Sequence, residues 1–226
     1  MNHDRFHAAR RAGQLCPAAA RPRWTRVRAA VCYGSHSGRS WASVVLLPAI
    51  HPEWQQYSGK GMWWRIVVFP LAGLVIPVAW WITGSRPPYP YLADGLIVMI
   101  PLSDVIWNTV DAYDGIWWWD DVNHLVNSFV IAYVIALWLR RYPLGTVARV
   151  FLCLGVGMTL AVVWELAEFP TFLKSSDQLV AAYEDTLGDL GLSLIGSSLA
   201  ALLGVMQPSK RPTATGEARA VALAQR

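Results

Sequence analysis

Three short stretches of this chain carry side chains whose types and spacing fit a cation site. "WDDVNH" (119–124) sets Asp120 and His124 four residues apart. "WELAE" (164–168) sets Glu165 and Glu168 three apart, and "EDTLGDLG" (184–191) sets Asp185 and Asp189 four apart. Spacings of three and four place each pair on one face of a helix. An imidazole among carboxylates suits a hard or borderline divalent cation such as Mg²⁺, Mn²⁺, Ca²⁺ or iron, which is the cofactor expected here. Zinc fits poorly, because only His124 supplies nitrogen and Cys16, Cys32 and Cys153 lack ligand spacing. Within such a site Asp120 orients His124 as a carboxylate partner. Glu165 or Glu168 serves as ligand or general base, so Glu165, Glu168 and His124 are the catalytic candidates. No serine or cysteine stands in a recognisable nucleophile motif.

The elements that must position these groups are membrane spans. The chain has 226 residues, 54% hydrophobic and only 15% charged, with mean hydropathy +0.32 and 13 tryptophans. Soluble domains carry about 25% charged residues, and tryptophan favours membrane interfaces. Five apolar segments are expected to span, near 62–83, 91–110, 121–139, 147–169 and 185–206. Each is long enough for a hydrocarbon core of about 30 Å at about 1.5 Å per helical residue. They must be helices, because a lone strand leaves its backbone groups unpaired in lipid. The expected fold is thus all-α, an integral membrane bundle over 62–206. Pro70, Pro77 and Pro101 sit inside the first two spans, and Pro170 is expected to stop the fourth. The small residues of "GLSLIGSSLAALLG" suit close helix packing in the fifth.

The flanks differ in character. Residues 1–40 hold eight arginines and one acid, without apolar periodicity, and residues 1–61 are expected to be a loose basic extension. Its apolar stretch 41–50 is too short to span. Residues 207–226 are expected to be a polar cytoplasmic tail. The lipid bilayer is the evident partner, and no nucleic-acid partner is expected. The oligomeric state is left open.

Loop charge sets orientation. Arg140, Arg141 and Arg149 flank the loop after the third span, Arg86 follows the first, and Lys210 and Arg211 follow the fifth. The loop "DAYDGIWWWDD" has four acids and no base. By the positive-inside rule the arginine side is cytoplasmic, in a cytoplasmic (inner) membrane. The N-terminus then falls outside, against the charge of the basic arm. Either 41–50 is a partial membrane segment or the natural start is Met62, and the second is preferred.

Alternation puts the end of span two, the start of three, the end of four and the start of five at one membrane level. The acids gather at those places. Asp111, Asp114, Asp177 and Glu184 read as loop and helix-start acids, and Trp117–Trp119 as an aromatic belt. Asp104 is deep and reads as satisfied locally beside Ser103. Glu165, Glu168 and Asp189 resist so plain an account, because intramembrane carboxylates point to function. With few cations near, a bound cation, protons or water must compensate them.

The three motifs together resemble YjdF-like bacterial inner-membrane proteins across about residues 91–206. "WDDVNH" is similar to their aromatic-Asp-x-x-x-His, "WELAE" to their aromatic-Glu-x-x-Glu, and "EDTLGDLGLSLIG" to their Asp-Thr-x-x-Asp segment. A looser likeness extends to VanZ-like proteins, where Glu168 stands in place of a Gln. The resemblance implies Asp120, His124, Glu165, Glu168, Asp185 and Asp189 as matched positions, and a site rather than a reaction. Three functions fit this pattern. One is a metal-dependent enzyme acting on a lipid or lipid-linked substrate. The others are an ion- or proton-coupled transporter and a structural or assembly protein.

Overall fold

Five helices among the described residues are long and apolar enough to cross a membrane. They are α1 (Met62–Ile82), α2 (Tyr91–Thr109), α3 (Trp119–Leu139), α4 (Thr146–Thr171) and α5 (Ala182–Met206). The computed structural model describes residue 44 and residues 46–83, 89–171, 173–175 and 177–207. Expectations for residues 1–43, for Arg86, Lys210 and Arg211, and for the tail beyond Gln207 fall outside these.

The helices carry their own backbone hydrogen bonds, as lipid requires. Their outward faces are apolar: Val67, Leu71, Leu74, Phe151, Leu166 and Leu199 are all exposed. In water such a surface would drive association, whereas hydrocarbon solvates it. Pro70, Pro77 and Pro101 lie inside unbroken helices. Pro170 does not stop α4 as expected, since the helix runs on to Thr171. The Thr171 hydroxyl donates to the carbonyls of Ala167 and Glu168 at 2.7 and 3.1 Å, folding its side chain back onto the last turn.

Small residues bring α3, α4 and α5 together. A Cβ on Gly196 would run into the carbonyl oxygen of Leu125, and one on Gly204 into the Ala136 side chain. A Cβ on Gly157 would collide with Ser197. Close backbone approach of this kind is how helices associate where lipid offers no hydrophobic drive between them. The tight region continues into a core of Ala132, Ala136, Cys153, Ala200 and Ala201. Ile76, Ala93 and Val134 tie α1 and α2 to α3.

Residues 46–61 are not loose. A helical turn, Leu47–Ile50, and a 3-10 turn, Gln55–Tyr57, lead into α1. Val44 and Leu47 pack on Phe69 and Val105. The Tyr57 hydroxyl lies 2.6 Å from Thr109 Oγ1, and Gln56 donates to the Thr109 carbonyl at 3.1 Å. Lys60 pairs with Asp114 at 2.5 Å. The described part of the expected loose extension therefore packs onto one end of the bundle, because α2 ends there in open carbonyls and acids.

Candidate functional site

The polar residues of the interior collect at that same end. α3 opens with Trp119, and its first turn carries Asp120 and Asp121. His124 follows one turn later on the face of Asp120. Glu165 and Glu168 occupy the last turns of α4, and Asp189 the second turn of α5. His124, Glu165 and Glu168 are each 7% exposed and Asp189 2%, whereas the Asp120 side chain is 41% exposed. Alternating helix direction, with the close α3–α5 approach at Gly196, brings these residues to one level.

The imidazole of His124 stands at the centre. Its Nδ1 lies 3.6 Å from Glu165 Oε1. Its Nε2 lies 3.8 Å from Asp120 Oδ1 and 3.8 Å from Asp189 Oδ2. These separations are too long for hydrogen bonds. Thr186 donates to Glu165 Oε2 at 3.1 Å, while Glu165 Oε1 is buried without a hydrogen-bond partner. Two ligand sets result, Asp120–His124–Asp189 and His124–Glu165–Glu168, with donor atoms of each within 4.8 Å of one another.

The separations of 3.6–3.8 Å exceed direct contact and leave room for a cation or a water between these groups. Neighbouring ligands of an octahedral ion at about 2.1–2.4 Å stand about 3.0–3.4 Å apart, and opposite ones about 4.2–4.8 Å. A neutral imidazole has one donor and one acceptor nitrogen, yet carboxylate oxygens face both nitrogens here. A second ring proton, a protonated carboxyl, a bridging water or a cation at one edge would each resolve this. Among the described residues no lysine or arginine pairs with Asp120, Glu165, Glu168 or Asp189. Lys60 is held by Asp114, and Lys174 is exposed.

Arg65 is the nearby cation, and it is committed elsewhere. It binds both oxygens of Asp104, at 3.0 and 2.8 Å, with its guanidinium carbon 5.3 Å from the Trp164 ring and 5.8 Å from the Trp64 ring. Asp104 is thus satisfied by α1, not beside Ser103 as expected; the Ser103 hydroxyl instead donates to the Ile100 carbonyl at 2.8 Å. Tyr113 donates to Asp104 Oδ1 at 3.4 Å. Burial, and then the Asp104 carboxylate, push the Tyr113 phenol well above its usual pKa of 10.0.

Of the six sequence-derived ligands, Asp120, His124, Glu165, Glu168 and Asp189 meet. Asp185 is exposed and belongs to neither ligand set. It shares a helix face with Asp189 but stands one turn nearer the helix start, beyond the converging side chains. Ser193 escaped the sequence reading, and Thr186 entered it only as the Thr of the Asp-Thr-x-x-Asp likeness, without a role. Ser193 is wholly buried one turn below Asp189, and its hydroxyl has no partner. The spacing of four from Asp189 was the available signal for Ser193. The grip of Thr186 on Glu165 depends on the α4–α5 register, which no motif encodes.

Comparison with known proteins supports the membrane assignment. The profile of the DUF2238 family of predicted membrane proteins matches residues 39–210, and the chain belongs to that family. A UPF0314 protein of Brucella anthropi is 25% identical over 95 residues, which cover 42% of this chain and 45% of that protein. The chain thus spans less than half the length of this curated relative. No solved structure matches the chain. Multi-pass membrane location follows from the family and the five helices, and neither match carries a chemistry.

Proposed function

We propose that this member of the DUF2238 family binds a divalent cation at the acidic end of its bundle and uses it as a metal-dependent enzyme on a lipid or lipid-linked substrate. One observation carries the reading: His124 has carboxylates facing both ring nitrogens at 3.6–3.8 Å, and among the described residues no lysine or arginine pairs with them. A neutral imidazole has one acceptor nitrogen, so the two ligand sets are alternative positions for a single ion. The motif likeness to YjdF-like proteins, and more loosely to VanZ-like ones, singles out these same residues. Arg140, Arg141 and Arg149 at the opposite end favour an extracytoplasmic site in the cytoplasmic membrane.

A bound divalent ion supplies Lewis acidity and a water of lowered pKa, suited to attack on a phosphoester or ester. The chain's own contribution is to hold that site at the level of lipid headgroups. The carboxylate left off the ion, from Glu165 or Glu168, is placed to take a proton. Asp120, half-exposed, gives ion and water their entry.

A structural role is the second reading, favoured because the cluster joins α3, α4 and α5 at one point. Passage of an ion through the bundle is less well supported. Below Ser197 the packed core of Ala132, Ala136, Cys153, Ala200 and Ala201 carries no carboxylate or imidazole. Elemental analysis of the detergent-purified chain beside His124→Ala and Glu165→Ala tests the proposal. Metal retained by the wild type and lost or depleted in both variants supports it. A metal-free wild type whose variants merely unfold earlier would transfer the case to the structural reading.

A further inference from the structure

The two edges of the His124 ring are not equivalent. At Nδ1 there is one carboxylate oxygen, Glu165 Oε1 at 3.6 Å, and the other oxygen of that carboxylate is held by Thr186 at 3.1 Å. A group pinned in this way suits an acceptor for an N–H and is poorly free to swing onto an ion. At Nε2 two carboxylates from different helices, Asp120 and Asp189, converge at 3.8 Å each. One N–H cannot serve two anions at that separation, and the anions repel each other across the gap. A cation between them attracts all three groups.

Two independent observations point to the same edge. Ser193, wholly buried one helical turn from Asp189, carries a hydroxyl with no partner. A buried neutral oxygen one turn from a carboxylate, like that of Ser197 one turn further, can serve a hard cation or its water. Asp120 is half-exposed, whereas Glu165 and Glu168 are buried, so the Nε2 edge is the one an ion reaches from the aqueous side.

Resting on the cation reading above, we infer that the ion sits at the Nε2 edge between Asp120 and Asp189, and that Glu165, pinned by Thr186, is a positioning residue. With the ion bound, Glu165 closes from 3.6 Å to accept the Nδ1–H, which fixes the tautomer and leaves the Nε2 lone pair for the ion. Metal-bound histidines commonly donate their second nitrogen to a carboxylate, and loss of that partner weakens binding about 10–100-fold. Thr186 then sets affinity without touching the ion.

Mn²⁺ titration of the full chain in detergent, followed by electron paramagnetic resonance, separates ligand from positioning residue. Wild type should bind one Mn²⁺ with a nitrogen coupling that His124→Ala removes. Asp120→Asn and Asp189→Asn should each remove tight binding. Glu165→Gln should keep the nitrogen coupling while affinity falls about 10–100-fold. Thr186→Val should weaken binding in the same direction, and Thr186→Ser should restore it. Two results would overturn the inference while leaving the cation reading intact. One is loss of binding in Glu165→Gln with binding kept in Asp189→Asn. The other is wild-type affinity in both Glu165→Gln and Thr186→Val. A wild type that binds no Mn²⁺, Mg²⁺, Ca²⁺ or Fe²⁺ overturns both.

Discussion

Arg65 of α1 grips both carboxylate oxygens of Asp104 on α2, at 3.0 and 2.8 Å; both residues are buried, and the guanidinium lies against the Trp64 and Trp164 rings. The pair commits Arg65 to Asp104, so among the described residues no lysine or arginine forms an ion pair with the neighbouring acidic cluster. Removing one partner strands the other. Arg65→Met or Asp104→Leu alone should cost about 3–5 kcal/mol of stability. The double variant should recover much of that loss, because a buried pair replaced by apolar groups is often neutral. Thermal unfolding in detergent checks this. A double variant as unstable as the worse single one would show that the pair does more than neutralise itself.

Gly196 sets the distance between α3 and α5. Gly196→Ala drives a Cβ into the Leu125 carbonyl and should destabilise by about 1–3 kcal/mol. It should also weaken cation binding, because His124 and Asp189 lie on the two helices it separates. Gly191→Ala meets nothing within 4 Å and should be neutral or stabilise by about 0.5–1 kcal/mol. Equal behaviour of the two variants would contradict the close-approach account.

Tyr113 gives the fold an alkaline limit. Its phenol is held neutral by burial and by Asp104, so its folded pKa is raised above the usual 10.0. The unfolded chain ionises first. The stabilisation is therefore whole below about pH 10 and declines as pH rises from there toward the folded pKa. Tyr113→Phe should lose less stability than wild type between pH 9 and 11, a window set by the reference phenol value of about 10. Phenolate absorbance should show one tyrosine fewer resisting ionisation in that variant.

The orientation of the site depends on charge. Gly115 is exposed in the acidic loop, with open space around it. Gly115→Cys should react with a membrane-impermeant maleimide on intact cells. Reaction only after permeabilisation would put the cluster on the cytoplasmic side.

The spans were legible because lipid demands about 20 apolar residues with every backbone group satisfied. Two of their starts were not. α3 begins at Trp119 and α5 at Ala182, earlier than expected, because acids that resemble loop sequence form the first helical turns. Asp120, His124, Glu165, Glu168 and Asp189 could be read from helical spacing plus alternation of spans. The spacing alone could not exclude Asp185, which shares Asp189's face and differs only in depth. The Arg65–Asp104 pair was hidden for another reason. Its partners lie 39 residues apart on helices whose mutual register comes from side-chain packing.

The central claim is a cation between α3 and α5, and anomalous scattering from crystals of the full chain grown with Mn²⁺ reads it most directly. The account predicts one peak about 2.1–2.3 Å from His124 Nε2, Asp120 and Asp189, with Glu165 Oε1 accepting from Nδ1. No anomalous peak at this end of the bundle, with His124 hydrogen-bonded directly to the carboxylates on both edges, would contradict it.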